Sequence, residues 1–117
     1  MKRTATANWT GSLNEGAGTL DMQSGAFTAQ PYTFKGRFVD ESGRSGTNPE
    51  ELIAAAHAGC FAMQLAHFFA ENGTPPASLK VTAAVELIPG TGITGSALTL
   101  KARVPGIDQA KFRIYPL

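Results

Sequence analysis

The sequence predicts a single domain in which three short strands, one long helix and a final pair of strands follow one another along the chain. Three observations carry this. Apolar and polar residues alternate in short runs before Asp40, an apolar stretch with a helix-start signal runs from Thr47 to Asn72-Gly73, and two alternating runs after Pro76 flank a turn at Pro89-Gly90. The size agrees: 117 residues with 43% apolar content is ordinary for one globular domain. A chain of this length buries roughly two thirds of the surface its unfolded form exposes, so its core is small and an obligate dimer would enlarge it.

The first runs are Thr4 to Trp9, Gly18 to Met22 and Tyr32 to Phe38, separated by Asn/Gly and Ser/Gly punctuation, and they read as three strands. On this reading Arg37 lies at a strand end beside Phe38. The stretch "DESGRSGTN", Asp40 to Asn48, is nearly free of apolar residues and reads as a surface loop. A helix follows. Thr47 or Asn48 can cap it, Pro49 suits its first position, and Glu50 and Glu51 set negative charge against the positive end of its dipole. The run beyond is alanine-rich and apolar on nearly every side, which places the helix in the middle of the fold. It stops at Asn72-Gly73, before Pro75-Pro76. "LKVTAAVEL", Leu79 to Leu87, and "ITGSALTLKARV", Ile93 to Val104, then alternate as a hairpin, and "PGID" reads as a turn leading to a helix start at Asp108.

Composition excludes several function classes. Ten basic and nine acidic side chains leave a formal charge of +1 with no like-charge cluster, so nucleic acid is not an expected partner. Leu52 to Ala70 is interrupted by His57, Gln64 and His67 and is expected to fall short of a membrane span. The first twenty residues hold no apolar block and do not read as a secretion signal, so a cytoplasmic location is expected. No glycine-rich phosphate loop or repeat is present.

Cys60 is the only cysteine, set in "TNPEELIAAAHAGCF". A lone thiol on an apolar helix is ordinarily packing material. A reactive thiol instead needs a cation, a helix N-terminus or a histidine close by. His57 lies three residues earlier on the same helical face and can in principle exchange a proton with it, or simply pack. As a zinc pair, His57 and Cys60 supply two of four ligands, with His67 too distant to complete the set, so no metal is expected. Arg37 is the candidate cation, against the plain reading of a solvated arginine. Glu50 is the candidate carboxylate, against the plain reading of a first-turn residue facing the helix dipole. Ten residues of helix separate Glu50 from Cys60, about 15 Å at 1.5 Å per residue. One shared site therefore requires a bend near Gly59 or a second subunit.

Residues 30 to 66, "QPYTFKGRFVDESGRSGTNPEELIAAAHAGCFAMQLA", closely resemble the OsmC/Ohr family of thiol-dependent hydroperoxide reductases, and the OsmC branch in particular. The strongest pieces are "QPYTF", "GTNPEELI" and "AAHAGCFAM"; "WTGSLNEGAGTL" and "VPGID" match more weakly. The resemblance implies an α+β fold of antiparallel strands wrapping a central buried helix, in an intertwined homodimer with its sites at the subunit boundary. It further implies that Cys60 is the peroxidatic nucleophile, that Arg37 favours its thiolate and orients the peroxide, and that Glu50 holds Arg37. The product at Cys60 would be a sulfenic acid, formed without metal, haem or flavin. Members of that family continue past Leu117 into a second helix carrying a resolving cysteine. Residues 1–117 are thus expected to be one OsmC-like domain without that helix, which turns over organic hydroperoxides, and hydrogen peroxide less well, with an external thiol or dithiol. The alternative is a dimer that kept the scaffold, or a redox-sensing thiol, and lost turnover. The Phe61, Phe68 and Phe69 side of the central helix would be the surface left exposed.

Overall fold

β1 (Ala5–Thr10) and β2 (Ala17–Met22) pair antiparallel from Ala5↔Met22 to Thr10↔Ala17, and β3 (Gln30–Tyr32) adds to the other edge of β2, with Gly18 opposite Tyr32. The computed structural model describes residues 1–107. Gly18 in β2, and Gly16 just before it, stand where a side chain would collide with their neighbours. A Cβ on Gly18 would stand 2.5 Å from Trp9 Cε3 and 2.6 Å from Tyr32 Cε1, so only a bare backbone lets those rings approach each other, with centroids 5.3 Å apart. A Cβ on Gly16 would likewise meet Trp9 Nε1 at 2.9 Å.

The strand expected over Tyr32 to Phe38 is corrected. Only Gln30–Tyr32 pairs as a strand, and Lys35–Val39 forms one wide helical turn in which the Asp40 amide donates to the Lys35 carbonyl five residues back, at 2.8 Å. "YTFKGRF" places aromatic residues at every second or fourth position, which fits a strand, but Phe34 and Phe38 also stand one helical turn apart. Their rings meet at 4.9 Å. The turn begins where the Thr33 hydroxyl accepts from the Gly36 amide at 3.1 Å.

Asp40 organises the loop expected here. Its carboxylate accepts from the Ser42 hydroxyl at 2.6 Å and from the amides of Ser42, Arg44 and Ser45. These bonds, the Ser42 and Ser45 side chains foremost, hold its carboxyl well below the usual carboxylate range.

α1 (Pro49–Glu71) begins as the sequence predicts. The Asn48 side chain accepts from the Glu51 amide at 2.8 Å, Pro49 takes the first position, and Glu50 and Glu51 fill the first turn. It ends at Asn72-Gly73, with Gly73 at φ 78° and the Thr74 amide reaching back to the Phe69 carbonyl at 2.9 Å. Beyond it, β4 (Ser78–Ile88) and β5 (Gly92–Arg103) form the expected antiparallel hairpin, with a register irregularity between Glu86 and Leu87. Gly90 and Gly92 supply the positive φ angles of its turn. The helix start expected at Asp108 lies outside the described residues.

The chain divides into two compact units, Met1–Leu52 and Ile53–Leu117, with the boundary in the first turn of α1. The first holds the three-stranded sheet, the helical turn and the Asp40 loop; the second holds the rest of α1 and the hairpin. Among the described residues only Phe61 and Phe69 are buried hydrophobics, while Phe68 is 52% and Met63 77% exposed. Of the three phenylalanines expected to be uncovered, Phe68 alone is. α1 is also long and apolar enough to cross a bilayer by length and composition. The core helix of a globular protein has the same length and composition, so this agrees with the expectation of a helix inside the fold, not across a bilayer.

Candidate active site

In the first unit the helical turn carries Arg37 and the start of α1 carries Glu50, and the intervening loop brings the two together. Arg37 Nε donates to Glu50 Oε1 at 3.0 Å, and Nη2 forms an ion pair with the same oxygen at 2.9 Å. Glu50 is 8% exposed, whereas the Arg37 side chain is 33% exposed. A carboxylate this buried requires a charged partner, and it fixes the inner edge of the guanidinium while the rest of the group remains accessible. The Arg37 guanidinium also lies 4.9 Å from the centre of the Phe38 ring. Gly36 of the same turn is buried, with Thr33 Oγ1 and Ser45 Oγ 3.4 and 3.6 Å from where its Cβ would be. The Asp40 loop thus folds back over the turn that aims Arg37.

Arg37 also forms part of a pocket of about 360 Å³ with Trp9, Leu13, Tyr32, Phe34 and Phe38. Its walls are chiefly aromatic, and among the described residues that line it Arg37 alone is charged. A volume of this order with an apolar lining and one fixed polar anchor suits a small organic molecule. The aromatic residues of this wall were not picked out individually from the sequence; the signal was available in the clustering of Tyr32, Phe34 and Phe38 around a single arginine.

In the second unit Cys60 lies on α1, which runs through Gly59 without interruption, and its thiol is free and exposed. Among the described residues of this chain no neighbouring side chain covers it, so the thiol is open at the surface of the second unit. His57, half-buried on the same helix, has Nδ1 2.6 Å from the Ser96 hydroxyl of β5. No sequence signal pointed to Ser96, a small polar residue in an alternating strand. Among the described residues, no three His, Cys, Asp or Glu side chains gather as metal ligands.

A family model described as OsmC-like protein matches residues 41–115. The chain is 46% identical over 109 residues to Peroxiredoxin OsmC of Escherichia coli (strain K12), a match covering 91% of this chain and 74% of that protein. It is 30% identical over 111 residues to the Organic hydroperoxide resistance protein of Xanthomonas axonopodis pv. citri (strain 306), covering 94% and 75%. Among solved structures, the organic hydroperoxide resistance protein OhrB of Bacillus subtilis superposes with a TM-score of 0.60 at 24% identity, covering 92% of this chain and 76% of that one. An organic hydroperoxide resistance protein OsmC from Legionella pneumophila superposes with a TM-score of 0.57 at 22% identity, covering 92% and 75%. Both structural likenesses bear on the fold, which is the α+β arrangement of antiparallel strands and a helix expected from the sequence. By its sequence match over nearly its whole length, the chain belongs to the OsmC family of proteins.

Proposed function

We propose that this protein is a thiol-dependent peroxidase that reduces organic hydroperoxides, and hydrogen peroxide less well, with Cys60 as nucleophile. The observation that carries the reading is the Arg37–Glu50 pair: a buried carboxylate holds one guanidinium on a residue that also lines a largely aromatic pocket. Such a group can bind a peroxide oxygen and stabilise the negative charge that builds as the O–O bond breaks. The pocket's apolar wall favours a hydroperoxide with an organic tail over hydrogen peroxide, which has none to bury.

The chemistry is a two-electron displacement. The Cys60 thiolate attacks one peroxide oxygen, the S–O bond forms as the O–O bond breaks, and the departing alkoxide takes a proton to leave as an alcohol. Cys60 is oxidised to a sulfenic acid and the hydroperoxide is reduced. In the proposed cycle an external thiol or dithiol reduces the sulfenic acid. Two thiols restore the Cys60 thiol and yield one disulfide and one water. Nothing in this sequence of steps requires a metal, haem or flavin.

The proposed working form is a homodimer in the cytoplasm, with residues 1–117 as one family domain and each site completed at the subunit boundary. Its support is the apolar surface of the second unit. Ile53, Met63 and Phe68 of α1 and Ile88 and Ile93 of the hairpin are exposed, and 11% of the most apolar window of α1 is buried. A helix this apolar requires cover, and a second copy supplies it without a lipid bilayer. Sedimentation of the purified protein at micromolar concentration should give twice the chain mass.

The decisive experiment is a stoichiometry. The protein is incubated with tert-butyl hydroperoxide and excess dithiol, and peroxide consumed is counted per Cys60, with Cys60→Ser as control. Many equivalents consumed by the unsubstituted protein, and none by the control, are expected. About one equivalent would make Cys60 a sacrificial or sensing thiol, and none would leave a non-catalytic scaffold.

A further inference from the structure

The ring of His57 is tied down from outside its own helix. Its Nδ1 is 2.6 Å from the hydroxyl of Ser96, which lies thirty-nine residues further along the chain on β5. Cys60 follows His57 by three positions on α1. Side chains three apart on a helix share one face, with Cβ atoms about 5–6 Å apart, and each leans towards the helix N-terminus. Cys60 and His57 therefore share one face of α1, one helical turn apart. Cys60 and Ser96 are exposed and His57 is half-buried, so the three groups are open to a small reactant.

A neutral imidazole has one donor and one acceptor nitrogen, and the hydrogen bond at one fixes the role of the other. In the tautomer whose Nδ1–H donates to Ser96 Oγ, Nε2 keeps its lone pair and can receive a proton. We propose that His57, oriented by Ser96, is the proton carrier for Cys60. This deepens the peroxidase reading and rests on it. Nε2 takes the thiol proton, the thiolate attacks the hydroperoxide, and the imidazolium returns that proton to the alkoxide as the O–O bond breaks. Thiol and hydroperoxide become sulfenic acid and alcohol, the imidazole ends neutral, and the hydroperoxide is the only oxidant. Ser96 is a positioning residue, since it acts only through the His57 ring.

The same hydrogen bond could serve only to tether α1 to β5, and the test separates the two roles. Oxidation of Cys60 by tert-butyl hydroperoxide is followed in a single turnover, with the sulfenic acid trapped by dimedone and read by mass spectrometry. His57→Gln keeps a side-chain amide for Ser96 but cannot carry a proton, and is expected to slow oxidation about 100-fold. His57→Ala should be as slow, and added imidazole should restore part of its rate. Ser96→Ala should cost about fivefold, and Ser96→Thr, which keeps the hydroxyl, should recover most of that loss. Oxidation of His57→Gln at the unsubstituted rate would overturn the proposal. So would a folded His57→Ala protein that imidazole leaves unchanged. Should His57→Ala fail to fold, His57→Gln and the Ser96 pair still decide. Absence of sulfenic acid in the unsubstituted protein is a different result: it overturns the peroxidase reading itself, and this inference with it.

Discussion

Removing either partner of the Arg37–Glu50 pair should destabilise the protein unequally, and the inequality follows from burial. Arg37→Ala leaves the Glu50 carboxylate, 8% exposed, without its cation. Breaking a buried pair in this way costs about 3–5 kcal/mol, and here the positive end of the α1 dipole returns up to about 1 kcal/mol to a first-turn carboxylate. A net loss of about 3 kcal/mol is expected. Glu50→Ala leaves a guanidinium whose side chain is already 33% exposed and still lies over Phe38. Water can replace its lost partner, so the cost should be near that of one charge-assisted hydrogen bond, about 2 kcal/mol. Because the double variant no longer carries the uncompensated Glu50 carboxylate, it should be less destabilised than Arg37→Ala and close to Glu50→Ala, with a coupling energy of about 3 kcal/mol. Urea unfolding of the four proteins, at one fixed protein concentration because a dimer's stability depends on it, measures all of these. Additivity within about 0.5 kcal/mol would refute the reasoning, as would Glu50→Ala proving more damaging than Arg37→Ala.

Four further outcomes are expected. Arg37→Ala should slow alkylation of Cys60 by iodoacetamide near neutral pH, read as a rate profile against pH; an unchanged profile would remove Arg37 from the thiol's surroundings. The Asp40 carboxyl titrates lower in the folded chain than its ordinary value of 3.8, so its contribution to loop order is present above about pH 4 and lost only as pH falls through the lower folded value. Slowed exchange of the Ser42, Arg44 and Ser45 amides should therefore survive at pH 3 in the unsubstituted protein and be absent at pH 7 in Asp40→Ala. Gly18→Ala should push Trp9 and Tyr32 apart, lowering stability by about 1–3 kcal/mol and altering tryptophan fluorescence; an unchanged emission spectrum would refute the close approach. Asn48→Ala removes the α1 cap and should cost about 1 kcal/mol in the same urea assay, a loss that Asn48→Asp should not show.

The parts of this fold governed by local chemistry were legible from residue order. The Asn48 cap, Pro49, the Gly73 stop and the Gly90–Gly92 turn each act within about five residues of their own position, so α1 and the hairpin could be bounded closely in advance. The misread segment shows the converse. Spacings of two and four coexist in "YTFKGRF", and a strand or a helical turn satisfies both; the choice fell to the Phe34–Phe38 contact and to the Thr33 hydroxyl on the Gly36 amide.

For the candidate site, the residue types were readable and their company was not. Cys60, Arg37 and Glu50 were singled out by their chemistry and by family resemblance, yet each alone also fitted an unremarkable structural role. What the sequence by itself determined is the set of reactive groups and the caps and turns that hold their elements, because those depend on covalent identity and on neighbours a few bonds away. What only the tertiary structure decided is who meets whom: Arg37 with Glu50 across 13 residues, and His57 with Ser96 across 39. No periodicity encodes such pairs, because they come from the folding back of a loop and a hairpin, and that path is set by packing summed over many residues.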